Sequence, residues 1–168
     1  YEGNESFTLS GATSVQATPA VGTGTIADEG ANGGNDDRPE VSAISDTTVD
    51  EGQNASFDVT LSNESTTTTT VNLSLAGDSA TSGVDFSETV TIKFADDTTQ
   101  DVTVDENGNF SVTVPAGHTG FTVIVPTLND DVYEGNESFT LSGATSSQAT
   151  PAVGTGTIAD EGANGGND

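Results

Sequence analysis

Cysteine, methionine and tryptophan are absent from the 168 residues, and positive charge nearly so. Without cysteine there are no disulfides, no thiolate chemistry and no Cys-ligated zinc. Two Lys/Arg stand against 27 Asp/Glu, a formal net charge of −25, and there is one histidine. So few cations cannot neutralise phosphates, which excludes nucleic acid as a partner. An anionic membrane surface would repel the chain for the same reason. No apolar run approaches the roughly 18 residues of a spanning segment, so no direct membrane insertion is expected. One histidine and two basic residues leave most acid–base and phosphoryl-transfer sites without their parts, so no enzyme is expected. The chain carries no signal peptide, which reads as a mature or excised piece.

What is present is strand chemistry. A 31% hydrophobic content with high charge borders on a disordered composition. The apolar residues, however, fall in alternating runs of Val, Ile, Phe and Thr broken by Gly, Asn and Asp. Strands are expected at Val41–Val49 (broken near Asp46), Ala55–Ser62, Thr68–Leu75, Ser87–Phe94, Asp101–Asp105, Phe110–Pro115, Phe121–Leu128, Glu137–Thr145 and Gly154–Asp160. Phe121–Leu128 is apolar almost throughout and reads as a central strand. Asn107-Gly108 reads as a hairpin turn between Asp101–Asp105 and Phe110–Pro115. No helical period competes. The pattern predicts an all-β, antiparallel two-sheet sandwich.

The chain also repeats itself. The stretch Tyr1–Asp36 returns as Tyr133–Asp168 with one difference, Val15 against Ser147, a tandem period of about 132 residues. That is too long for a solenoid coil and suits one domain. Residues 1–36 therefore read as the C-terminal part of a preceding repeat, two strands plus a linker. Residues 37–168 read as one complete module, with neighbouring repeats of the same chain as its partners. Two strands alone are marginally stable. Residues 1–36 are thus expected to borrow a partner, by pairing with a sheet edge or by swapping into a neighbouring molecule as a homo-oligomer.

Acidic residues gather where strands end: Glu51 in VDEG, Asp85 in SGVDF, Asn129 and Asp130 in NDD, Glu134 and Glu137 in YEGNES, and Asp160 in IADEG. Alternate strand ends of an antiparallel sandwich meet at one pole. Six such carboxylates, with the Val132 carbonyl, are the hard oxygen set that Ca²⁺ takes, 6–8 ligands at about 2.3–2.6 Å. Scattered acids such as Asp58, Glu64, Glu88 and Asp105 read as solvated turn and surface residues.

NDDVYEGNESFTLS followed by GTGTIADEG, with VDEGQNASFDVTLS and ATSGVDF upstream, resembles the Calx-β domain. The resemblance covers most of residues 37–168. It implies an immunoglobulin-like sandwich with calcium ligands at Glu51, Asp85, Asp130, Glu134, Glu137 and Asp160 and the Val132 carbonyl. The acidic run opens on Asn129 and the final pair is Asp160-Glu161, departures that imply one or two ions rather than a larger cluster. VPAGHTGFTVIVPTLNDDVYEGNESF looks most like the extender repeats of giant bacterial RTX-type biofilm adhesins, which implies an extracellular, cell-surface setting.

A second ion is expected at the joint between repeats. Glu2, Glu5 and Asp28, helped by Asp36 or Asp37, would tie down the Gly- and Asn-rich linker EGANGGNDDRPE. Pro39 would stiffen the entry to the next strand. The expected function is a calcium-stabilised structural extender, stiffened at the module pole and at the joint. The alternative is an adhesive module that binds glycan or protein directly. It would need exposed aromatics, whereas most phenylalanines occupy inward positions. Lys93 and His118 read as ordinary surface residues.

Overall fold

The structure, a computed structural model, describes residues 3–28, 36–129 and 132–159. Twelve strands and no helix make up the described residues: β1 (Glu5–Gly11), β2 (Ala20–Ile26), β3 (Val41–Ile44), β4 (Thr47–Asp50), β5 (Asn54–Leu61), β6 (Thr69–Gly77), β7 (Thr89–Phe94), β8 (Thr99–Thr103), β9 (Asn109–Val114), β10 (Gly120–Pro126), β11 (Glu137–Ala144) and β12 (Ala152–Ala159). Accordingly, no helix among them is long and apolar enough to cross a membrane.

Strands β3 to β12 form two five-stranded sheets, ordered β3-β5-β10-β7-β8 and β4-β12-β11-β6-β9. Alternation decides which residues meet between them. In β5, Ala55, Phe57, Val59 and Leu61 are buried while their neighbours face solvent. The same period in β10 buries Phe121, Val123 and Val125, and β10 sits at the centre of its sheet. Three rings join the layers. Phe139 stands edge-on to Phe57 with centroids 5.6 Å apart and stacks on Phe86 at 4.7 Å. This is the expected all-β sandwich, antiparallel except for the parallel pair β4–β12.

The break near Asp46 is a change of sheet. β3 pairs with β5, and β4, two residues further on, pairs with β12. One expectation needs correction. Asn107-Gly108 does turn the chain, with the Gly108 amide donating to Asp105 O at 2.9 Å. The strands on either side do not form a hairpin, because β8 pairs with β7 and β9 with β6, in opposite sheets. Asp105 explains this: its side chain accepts from the amides of Asn107 and Asn109, each at 2.8 Å. That closes a local turn and aims the chain across the sandwich. The hairpin is β7–β8 instead, turning through Asp97 at φ 64°.

The loop from β6 to β7 carries a predicted site residue, and Gly77 positions its start. A Cβ on Gly77 would collide with the backbone carbonyl of Ala80. Backbone cannot yield as a flexible side chain can, so Gly77→Ala should lower stability by about 1–3 kcal/mol, measurable by denaturant unfolding.

β1 and β2 form a separate two-stranded sheet. Phe7, Leu9, Val21 and Ile26 are all more than half exposed there.

Candidate metal centre

Asp85, Glu134 and Glu137 each place a carboxylate oxygen within 4.8 Å of the others. Two stretches of the chain supply them. Asp85 lies in the β6–β7 loop, Glu134 just before β11, and Glu137 is the first residue of β11. Among the described residues this is the one such trio.

Asp85 is only 4% exposed. Its Oδ2 accepts from the Thr81 amide at 2.6 Å, its own amide donates to Thr81 O, and its carbonyl accepts from Leu128 N. A carboxylate pinned on both sides of its backbone cannot swing out to water. Phe86, fully buried beside it, anchors the loop to the core. Burial first, then the charges of Asp85 and Glu134, a hydrogen bond with Asp85 and the charge of Glu51 push Glu137 up to about 7.

Glu51 approaches from the β4–β5 turn. Its Oε2 accepts from Asn129 Nδ2 at 3.1 Å, and its amide donates to Ala159 O at the end of β12. Thr127, 4% exposed, donates through Oγ1 to Gln53 O at 2.7 Å and holds that turn in place. The pole thus gathers Glu51, Asp85, Asn129, Glu134 and Glu137. Asn129 serves through its amide as a donor to Glu51. Val132 is exposed on the same approach to β11. Asp130, Asp160 and Glu2 lie outside the described residues.

The first hairpin behaves differently. Glu5 is exposed on β1. Asp28 Oδ2 accepts from the Gly3 amide at 2.9 Å, and the Asp28 amide donates to Asn4 Oδ1. Neither belongs to a carboxylate trio among the described residues. Each closes the hairpin end or faces solvent.

Asn129 as a positioning donor, Thr81 and Thr127 went unread in the sequence. The only signal was their sequence proximity to Asp85 and Asp130. His118 is half-buried rather than an exposed loop residue, its ring 6.2 Å from Phe94.

The donor set fits a hard divalent cation. Oxygens at about 2.3–2.6 Å from one centre lie no more than about 5 Å apart. The two basic side chains form ion pairs with other acids, Arg38 with Asp36 at 2.6 Å and Lys93 with Asp97 at 2.8 Å. The charges that push Glu137 up are all carboxylates. A metal-free pole therefore keeps a proton between about 4.5 and 7 that the unfolded chain gives up. Native protein binding the extra proton means its contribution to stability is complete below 4.5 and lost as pH rises through 7. The metal-free melting temperature should show this falling component between about pH 5 and pH 8, and Glu137→Gln should remove it.

With that geometry in hand, the comparisons place the chain. The Calx-beta domain family profile matches residues 35–107 and 87–162, more than half of the sequence, and the chain belongs to that family. Among solved structures it is similar to the apo-form Calx CBD1 domain, at 19% identity and TM-score 0.52, over 71% of this chain and 95% of that one. It is similar also to CBD12 from CALX1.2, at 19% identity and TM-score 0.52, over 71% of this chain and 44% of that one. The calcium binding domain CBD12 of CALX1.1 gives 19% identity and TM-score 0.53, over 74% and 46%. The chain therefore spans less than half the length of the two CBD12 structures. These likenesses show the fold. No curated protein matches the chain.

Proposed function

We propose that this chain is a calcium-stabilised structural module of a secreted or cell-surface protein, an extender repeat of the kind found in RTX-type biofilm adhesins, without catalytic activity. The observation that carries the proposal is the trio at the pole, in which a buried, backbone-pinned Asp85 faces Glu134 and Glu137. Asp85, Glu134 and Glu137 would hold the ion, with Glu51 beside them. Asp130, Asp160 and the Val132 carbonyl complete the ligand set in this reading, as the sequence suggests.

Calcium rather than magnesium suits the site. Several carboxylates from separate segments make a wide, adaptable cage, whereas Mg²⁺ demands a small octahedron with retained waters. The bound charge supplies the attraction that the acids cannot supply to one another. It clamps the β4–β5 turn, the β6–β7 loop and the start of β11 together. A rigid pole on each repeat, and a second ion held by Glu2, Glu5 and Asp28 with Asp36 or Asp37 at the joint, would convert a flexible string of modules into a rod.

Isothermal titration of chelator-treated protein tests this. Calcium should bind with saturable heat while magnesium at the same concentration gives little. Ca²⁺ needs ionised Glu137, so binding should release a proton below about pH 7, and affinity should fall by up to about tenfold per pH unit there. Binding that is absent, or indifferent to the ion, would overturn the proposal.

A further inference from the structure

The boundary between repeats is bridged by one side chain on each side of it. Asp36 ends the preceding repeat and recurs as Asp168, while Arg38, one of only two basic residues, belongs to the next. Arg38 Nε donates to Asp36 Oδ1 at 2.9 Å and Nη2 to Oδ2 at 2.6 Å, and the Arg38 amide adds a bond to Oδ1 at 3.2 Å. Both carboxylate oxygens are thus engaged in a planar fork. The pair is partly exposed, so by itself it contributes little.

Neutral bonds hold the chain downstream of it. Asn63 Nδ2 donates to Asp37 O at 2.8 Å, and Thr145 Oγ1 to Pro39 O at 2.8 Å. The Glu40 amide donates to Ser62 Oγ, and the Ser62 amide to Glu40 O. Gln148 takes Val41 in both directions, Oε1 accepting from its amide at 2.8 Å and Nε2 donating to its carbonyl at 2.9 Å. Pro39 is buried, and Thr145 is 6% exposed. Thr145 spends its one hydroxyl proton on Pro39 O, so Ser147 Oγ, 3.0 Å away, is the donor to Thr145. These groups come from the β5–β6 loop and the β11–β12 turn, beyond the end of β11 opposite Glu137. None of their side chains is charged, so the seat requires no cation. The turn recurs in the preceding repeat, where Gln16 bonds Thr13 N and Thr18 O as Gln148 bonds Thr145 N and Thr150 O. The one substitution between the two copies, Val15 against Ser147, falls in this turn.

We propose that the pole opposite the acidic cluster is a calcium-independent socket for the end of the preceding repeat, with Asp36–Val41 as the seated segment. Its role rests on the calcium-stiffened joint proposed above, whose two ends it makes unequal. The socket fixes the downstream end of the linker through Asn63, Ser62, Thr145 and Gln148. The Asp36–Arg38 pair carries that fixation across the repeat boundary. Calcium is left the upstream end, at Glu2, Glu5 and Asp28. Asp36 serves Arg38 and is not a calcium ligand.

Amide hydrogen exchange of the full chain, in excess chelator and then in calcium, tests the socket. Relative to the buried β5 amides, protection at Glu40 and Val41 should be the same in both conditions. Thr145→Val with Gln148→Ala should speed exchange at Val41 by about tenfold or more, the loss of its side-chain hydrogen bonds, while the β5 amides keep their protection. Should the double variant lose β5 protection, Gln148→Ala alone isolates the Val41 bonds and should act in the same direction. In calorimetric titration with calcium, Asp36→Ala should bind as many ions as wild type and as tightly, whereas Asp28→Asn should weaken one site. Three results would each overturn the proposal. One is Glu40 and Val41 exchanging as unstructured chain in chelator and gaining protection only with calcium. Another is a Gln148→Ala chain whose Val41 exchanges as in wild type. The third is an Asp36→Ala chain that loses a calcium ion. Failure of the calcium reading looks different: wild type binds no ion, while the exchange pattern in chelator still shows the socket.

Discussion

Asp85→Asn should move the metal-free and calcium-loaded proteins in opposite directions. Without calcium, the change removes one of three crowded negative charges from a site where Glu137 is already pushed up to about 7. The amide oxygen of asparagine can still accept from the Thr81 amide, so the loop keeps its anchor. The metal-free variant should therefore melt above wild type. With calcium, the variant lacks a buried anionic ligand that burial and backbone bonds had already oriented. Ligand charge count sets affinity over several decades in calcium sites, so binding should weaken by about a hundredfold. The calcium-dependent gain in melting temperature should shrink with it. A purely structural role for Asp85 would lower stability in both conditions, and paired melting curves separate the two accounts.

Phe57→Ala should cost about 3–5 kcal/mol, the range for emptying a fully buried aromatic position. Phe57 is 0% exposed, sits in β5 and touches Phe139 edge to face across the two sheets. Its loss opens a void where the layers meet, and the rings around it cannot collapse far because Phe139 is also stacked on Phe86. For a domain of this size the melting temperature should fall by roughly 10 °C or more. The effect should be the same with and without calcium, because Phe57 is a core residue of the frame and no carboxylate moves with it. No second copy of β5 exists in the chain to replace it. A fall of less than about 1 kcal/mol in denaturant unfolding would mean that the core is looser than this packing implies.

Period-two alternation made most of this fold readable. Phe57, Val59 and Leu61 point one way in β5 because successive strand residues alternate, whatever the strand pairs with. Pairing partners are set by contacts distant in sequence, and there the local reading failed. Asn107-Gly108 has the composition of a hairpin turn, but Asp105 caps it into a crossover between sheets. The parallel β4–β12 pair joins segments from opposite ends of the module, which no local pattern announces. The acidic pole was legible because Glu51, Asp85, Glu134 and Glu137 all sit at strand ends or in loops within two residues of a Gly or Asn. Its supports were not. Thr81 matters through a backbone amide, which any residue there would supply, and Asn129 through a hydrogen bond to a turn 78 positions away. For residues 1–36 the repeat suggested a borrowed partner; among the described residues β1 and β2 form a two-stranded sheet with Phe7 and Leu9 exposed.

Thermal unfolding of the full chain in excess chelator, followed by a calcium titration, tests the central claim most directly. A ligand of the native state raises stability without limit as its concentration rises, by about 2.7 kcal/mol at a hundred times its dissociation constant. The acidic pole therefore predicts a melting temperature that climbs with calcium and keeps climbing past saturation of the site. Sodium at equal ionic strength and magnesium at equal concentration should reproduce only the part due to screening. A melting curve that calcium leaves unchanged, or that sodium shifts equally, would contradict the account and reduce the trio to a solvated acidic surface.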